Sequence, residues 1–378
     1  MPVSAVELTR ALTRFNTINP PGNEQACAEH LGRLLEAAGF GCAYVPMAQG
    51  RPNLVARIGA EGSAAQGALP IAFTGHIDVV PLGAREWTMA PFAGEVKDGR
   101  MYGRGTSDMK AGVAAFVAAC VDLAPKLAGT PGVLLVITAG EETGCEGAFH
   151  LARTDGALAR AGALVVAEPS SNRPLVGHRG ALWLKALTQG VTAHGSMPDQ
   201  GVNALYKMAR AITKLEDFDF NIARHPVLGA PTLNVGWSRG GINVNSVPDR
   251  AETGIDIRTI PAQDHGHLRA DIARYLGGDV TLDAFMDVRG VWTDPDDPWM
   301  ARVFATVRDV TGAMPVVEAA PYFTDASALS QPLGTPPAVI LGPGEAHMAH
   351  QTDEYCEIAR IEQAKEIYTR LIAQWCRI

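Results

Sequence analysis

The chain has 378 residues, 47% of them hydrophobic and 19% charged, with a net charge of -8. This is an ordinary globular balance, and its length exceeds what one core organises, so two domains are expected. No basic block marks a nucleic-acid or anionic-membrane partner, and no apolar run reaches the roughly 20 residues of a membrane span. The opening MPVSAVELTRALTRF reads as an amphipathic helix rather than a signal peptide, which points to the cytoplasm. The six cysteines are scattered, with no C-x-x-C pair, so they are expected to be free, and any metal would be held by oxygen and imidazole.

Helical spacing predicts helices over about 4–15, 24–38 and 109–124. Apolar runs predict strands over 53–59, 69–78, 132–139 and 162–168. Runs apolar on both faces, alternating with helices, predict an α/β domain with a mainly parallel sheet covered by helices. Near Pro174 the pattern changes. Strands over 181–190, 231–237, 243–250, 251–260 and 280–288, with helices over 201–215 and 265–278, suit a small α+β sandwich. After Asp294 the helix–strand alternation resumes and ends in a long helix. The expected division is 1–174 with 291–378 as one domain, and 175–290 as an inserted one.

Several strand ends carry chemistry. GHID places His76 and Asp78 two apart, on one face of a strand, so Asp78 can accept the second ring N–H of His76. A satisfied histidine beside a turn aspartate explains the pair equally. Asp108, in GRGTSDMKAG, stands where a Gly-rich turn meets a helix, and is either an N-cap or a carboxylate able to bridge two cations. The turn lacks the spacing and lysine of a phosphate loop. VLLVITAGEET ends in Glu141 and Glu142, which point to opposite sides of the strand end. That arrangement makes sense as one base plus one ligand, with a cation offsetting their repulsion. Glu168 closes a further apolar run, and AHMAHQTDEY supplies His347 and His350. In parallel α/β sheets, sites form outside such carboxyl ends.

GHIDVVP, GRGTSDMKAG, AGEETG, AEPS, TAHGSMPDQGVNA, NSVPDRAETGIDIR and AHQTDEY resemble, in order, the signature blocks of the M20 metallopeptidases. They are most similar to the acetylornithine deacetylase / succinyl-diaminopimelate desuccinylase branch. The resemblance implies a di-metal catalytic domain carrying an inserted dimerisation domain, and a homodimer. It implies that His76 ligates one metal and His350 the other. Asp108 would bridge them, often with a cis peptide after it. Glu142 and Glu168 would complete the two spheres, Glu141 would be the general base, and Asp78 would orient His76. The metals would be zinc, with cobalt or manganese acceptable to the same donors.

His194, in TAHGSMP, is by the same resemblance an oxyanion donor reaching the partner subunit's site; read alone it is a loop histidine. Arg258 follows an alternating strand and is either solvent-facing or a clamp on a substrate carboxylate, with Asn245 assisting. Thr324, Asp325 and Ser327 resemble a loop near the substrate, although turn chemistry explains them as well. His347 is read as loop. Glu318, Asp325 and Glu345 are candidates for an acidic pocket around a cationic side chain.

The implied activity is removal of an acyl group, acetyl first, from an N-acyl amino acid such as N-acetylornithine. Desuccinylase, aminoacylase and dipeptidase or carboxypeptidase activities share these blocks. A non-catalytic metal-binding dimer would be expected to lack the base or a ligand, and this chain has both.

Overall fold

The computed structural model describes residues 2–59 and 68–378. The chain divides into two compact units, Met1–Gly177 with Trp292–Ile378, and His178–Val291. The first opens with α1 (Ala5–Thr13), α2 (Gln25–Ala37), β1 (Gly41–Ala48), β2 (Arg51–Ile58), β3 (Ile71–His76), β4 (Glu95–Lys97) and β5 (Arg100–Tyr102). It continues through α3 (Ala111–Leu123), β6 (Val133–Thr138), α4 (Glu146–Arg153), β7 (Ala163–Val166) and β8 (Leu175–His178). The second unit holds β9 (Gly180–Gln189), α5 (Ala204–Glu216), β10 (Thr232–Gly240), β11 (Arg250–Thr259), α6 (His265–Leu276) and β12 (Val280–Val288). The chain then returns through β13 (Val291–Trp292), α7 (Pro298–Thr311), β14 (Glu318–Ala320), α8 (Ala326–Leu329), β15 (Ala338–Ile340), β16 (Tyr355–Glu357) and α9 (Ile358–Cys376).

The main sheet runs β1-β2-β6-β3-β7-β15-β8-β13, with β14 on β8. Its centre, β6-β3-β7-β15, is parallel. These are the strands whose runs are apolar on both faces, and every residue of β3, β6 and β7 is buried. Antiparallel pairing is confined to the flanks, where β1 forms an unforeseen hairpin with β2. A small sheet, β16-β5-β4, joins the end of the chain to the segment before Asp108.

Helix α3 is buried nearly all round because its AGVAAFVAAC run has no polar face. It also lies unusually close to β7, because a Cβ at Gly112 would fall 2.1 Å from the Ala167 carbonyl oxygen. That approach sets Asp108, just before α3, beside Glu168, just after β7. Gly112→Ala is expected to destabilise the protein by about 1–3 kcal/mol through backbone overlap. A fall in thermal midpoint checks this; an unchanged midpoint would show that the helix can retreat without cost. Phe73 binds the layers together, its ring 5.4 Å from Tyr368 of α9 and 5.8 Å from Phe116 of α3. The buried Tyr368 hydroxyl donates to the Leu341 carbonyl.

The second unit is an antiparallel sheet, β10-β11-β9-β12, with α5 and α6 against one face. The strand expected over 243–250 is instead a loop: Ile242 and Val244 are fully exposed, and β11 begins only at Arg250. Pro248 lacks an N–H for a ladder, and the asparagines favour turns. No helix among the described residues is long and apolar enough to cross a membrane. All six cysteines are free thiols.

Candidate metal centre

Five polar side chains converge beyond the carboxyl ends of the parallel strands. His76 ends β3 and is 1% exposed. Its Nδ1 lies 3.0 Å from the Asp78 carbonyl oxygen, so that nitrogen carries the proton. Nε2 is left facing Asp108 Oδ1 at 3.1 Å and Glu168 Oε1 at 3.9 Å. The expected partner, the Asp78 carboxylate, is farther off, at 3.5 Å. It is turned instead toward the backbone N–H groups of Glu141 and Glu142, at 3.1 and 3.3 Å, and the Asn19 amide, at 2.9 Å. Asp78 therefore orients the histidine mainly through its main chain, and orients the glutamate pair through its side chain.

Asp108 is not an N-cap. It lies in the turn Thr106–Lys110 with extended φ/ψ, makes no capping bond, and is followed by a cis peptide to Met109. Its Oδ1 faces His76, and its Oδ2 lies 3.5 Å from His350 Nε2. His350 also meets Glu142 Oε2 at 3.0 Å. Two donor groups result, His76/Asp108/Glu168 and Asp108/Glu142/His350, each with ligand atoms within 4.8 Å of one another and sharing Asp108.

The charge balance of the cluster suits a cation. Burial, then the Asp108 charge, raises the Glu142 carboxyl and holds that of Glu168 well above its usual range. Burial disfavours a charge on His76, yet its contacts with Asp108 and Asp78 outweigh this and hold the imidazole well above its normal value. The Glu142 bond likewise raises His350. Glu142 Oε1 is buried with no hydrogen-bond partner. Imidazole and carboxylate donors without a thiolate, with one orphaned oxygen, fit divalent metals such as zinc, cobalt or manganese.

Glu141 belongs to neither group. It is 7% exposed, and burial, then Glu168, holds its carboxyl well above the usual range. The Cys145 thiol lies 3.7 Å from Glu141 Oε1. Asp325 completes this pocket. Its Oδ2 accepts the Thr138 hydroxyl at 2.5 Å, and burial pushes the carboxyl up to about 6. Thr324, beside it, is fully buried, and its hydroxyl caps Ala326; Ser327 lies in the first turn of α8. Two members of the suggested acidic pocket are already paired: Glu318 with Arg173 at 2.9 Å, and Glu345 with Arg360 at 2.5 Å. His347 is outside the cluster, 67% exposed, with its ring centre 6.5 Å from that of Tyr355 and the two planes at 75°.

Asn19, Cys145 and Glu354 were not anticipated. Glu354 is wholly buried and accepts the backbone N–H groups of Gly105, Ser107 and Asp108, together with Arg104. Asn19, in the turn NPPG, and Glu354, four residues after His350, offered position but no chemical signal.

The second unit carries the remaining candidates. His194 is exposed and pairs with Ser246 in an isolated bridge, next to Asn245, whose carbonyl accepts the Gly195 N–H at 2.7 Å. The Ser196 N–H points at His194 Nδ1 from 3.2 Å, and the Ser196 hydroxyl lies 2.8 Å away. A backbone N–H can only donate, so Nδ1 is the acceptor and Nε2 carries the proton, which suits a hydrogen-bond donor. Arg258 lies on the open face of the sheet, bonded to Asp256.

Residues 72–374 match the model of peptidase family M20/M25/M40. The chain belongs to the M20 family. Membership makes it a metal-dependent amidohydrolase, and its likeness to the two relatives below places it in the acetylornithine deacetylase / desuccinylase branch. It is 31% identical to a succinyl-diaminopimelate desuccinylase of Cereibacter sphaeroides, over 99% of this chain and 100% of that protein. It is 30% identical to an acetylornithine deacetylase of Proteus mirabilis, over 94% of this M20 chain and 91% of the other. An M20 metallo-carboxypeptidase of Sulfolobus solfataricus has the same fold, with TM-score 0.78, 18% identity and full coverage of both chains. A Bacillus subtilis protein described as a dinuclear metal-binding M20 peptidase gives TM-score 0.71 at 16% identity, covering 99% and 98%.

Proposed function

We propose that this M20 enzyme hydrolyses the amide bond of an N-acyl amino acid, releasing a short carboxylic acid and a free amino acid. The observation that carries the reading is Asp108 set between two histidines, with the buried Glu141 carboxyl alongside but outside both donor groups. His76, Asp108 and Glu168 would hold one divalent cation, and Asp108, Glu142 and His350 the other. Cations held there, zinc first, supply Lewis acidity that polarises the amide carbonyl and makes water acidic enough to attack near neutral pH. Glu141 takes a proton from the attacking water as the C–O bond forms. It returns that proton to the nitrogen as the C–N bond breaks. Arg258, with Asn245, would hold the substrate's carboxylate. His194 would donate Nε2–H to the developing oxyanion, from the second chain of a homodimer.

The sequence motifs favour an acetyl group on ornithine; the names of the Cereibacter relatives favour a succinyl group on diaminopimelate. Amine release from N-acetylornithine, N-succinyl-diaminopimelate and a panel of other N-acyl amino acids and dipeptides separates these. Turnover of dipeptides alone would replace deacylation by peptidase activity.

His194→Ala is expected to lower kcat by about 10²–10³, as loss of one oxyanion donor does. Co-expression of a Glu141→Gln chain with a His194→Ala chain tests the dimer. If His194 acts across the subunits, random pairing restores about a quarter of the wild-type sites, since one site in each mixed dimer is intact. No recovery would place His194 in its own chain's site.

A further inference from the structure

The second unit carries a charged device on its sheet. On β9, Leu182, Leu184 and Ala186 are buried, as are Ile255 and Ile257 on β11, and all join the core under α5 and α6. With period two, Trp183, Asp256 and Arg258 take the other face, each partly exposed. The register sets Asp256 directly opposite Trp183, and Arg258 opposite the small Ala181. The Trp183 indole N–H donates to Asp256 Oδ1 at 2.9 Å. Arg258 Nε lies 2.9 Å from the same oxygen, and Nη2 lies 3.1 Å from Oδ2. The guanidinium carbon is 5.9 Å from the centroid of the Trp183 ring.

These contacts use one edge of the guanidinium, and Nη1 takes no part in them. A planar guanidinium can satisfy two carboxylates at once, one along the Nε/Nη2 edge and one end-on at Nη1/Nη2. Asp256 holds the first edge and is itself anchored by an indole that donates and cannot accept. Arginine otherwise loses much rotamer freedom on binding, so fixing it beforehand removes part of that cost.

We propose that Asp256, anchored by Trp183, is a positioning residue that presents Arg258 end-on to the carboxylate of the substrate. The inference rests on the reading of Arg258 as the carboxylate clamp. It makes the free carboxylate a condition of tight binding, and Asp256 a determinant of that selectivity although it need not touch the substrate.

The test uses the N-acyl amino acid turned over most efficiently in the panel above, and its C-terminal carboxamide as alternative substrate or competitive inhibitor. Wild type, Arg258→Ala, Asp256→Asn and Trp183→Phe are compared as intact, metal-loaded enzyme, with thermal midpoints as a check on folding. Arg258→Ala is expected to erase the preference for carboxylate over carboxamide. If that preference survives, the clamp reading falls and this inference falls with it. With the clamp established, Asp256→Asn is expected to raise KM for the carboxylate by about tenfold, leaving kcat and all carboxamide constants unchanged. Trp183→Phe moves KM the same way by a smaller factor. A lower KM in Asp256→Asn would make Asp256 a competitor of the substrate and overturn the proposal. Equal changes with both compounds, or none, would reduce the pair to sheet structure.

Discussion

Replacing Glu141 by glutamine is expected to lower kcat by about 10²–10⁴ while the bound metal stays unchanged. Glutamine keeps the volume and the hydrogen-bonding reach of the side chain but cannot accept a proton. The geometry separates this residue from the donors. Its carboxyl shares a pocket with Cys145 and Asp325, not with the histidines. Its backbone N–H is fixed by Asp78 Oδ1 at 3.1 Å, so the substitution does not disturb the turn. Burial and the neighbouring Glu168 keep its proton affinity well above that of an exposed glutamate, which favours the acceptance of a proton from water. Steady-state kinetics with elemental analysis for metal reads both quantities. Loss of metal together with activity would make Glu141 a ligand and return the base to another residue.

Glu354→Ala is expected to cost about 3–5 kcal/mol of stability, because it breaks a buried ion pair and leaves Arg104 uncompensated. Arg104 is 1% exposed, and its Nη1 lies 2.7 Å from Glu354 Oε2. The same carboxylate accepts Gly105 N–H at 2.9 Å, Ser107 N–H at 2.7 Å and Asp108 N–H at 3.0 Å. These bonds fix the turn that aims Asp108 at both histidines, so metal affinity is expected to fall as well. Glu354→Gln, which keeps the shape but not the charge, should fall between wild type and alanine. Thermal unfolding and competition with a chelator check the two effects. A variant that melts as wild type and holds metal as tightly would show that the Asp108 turn stands by itself.

Much of the site was legible because its pattern is local. His76, Glu141, Glu142 and Glu168 are polar residues at or just past the ends of short, β-branched-rich runs apolar on both faces, and the length and flanking turn residues of such runs mark them as central strands. The face that Arg258 takes was legible from a different signal, the alternation of Ile255, Asp256, Ile257 and Arg258 in β11. The hairpin of β1 was missed because its residues are mostly exposed and carry little apolar signal. The strand expected over 243–250 failed for the opposite reason, since its alternation is met only by one isolated bridge, His194 with Ser246, and a single bridge does not make a ladder.

What joins distant segments was not legible. Asp78 was assigned to His76 from their spacing, yet its carboxylate serves backbone groups 63 and 64 residues away. Glu354 reaches the Asp108 N–H across 246 residues, and Asp325 reaches Thr138 across 187. Trp183 and Asp256 meet only because two strands pair in one register, and a slip of one residue would send them to opposite faces. The sequence by itself determined which side chains could bear charge at strand ends, because the periods of helix and strand are set by neighbouring residues. Only the tertiary structure decided which of those charges face one another, because that depends on how closely buried elements such as α3 and β7 can approach.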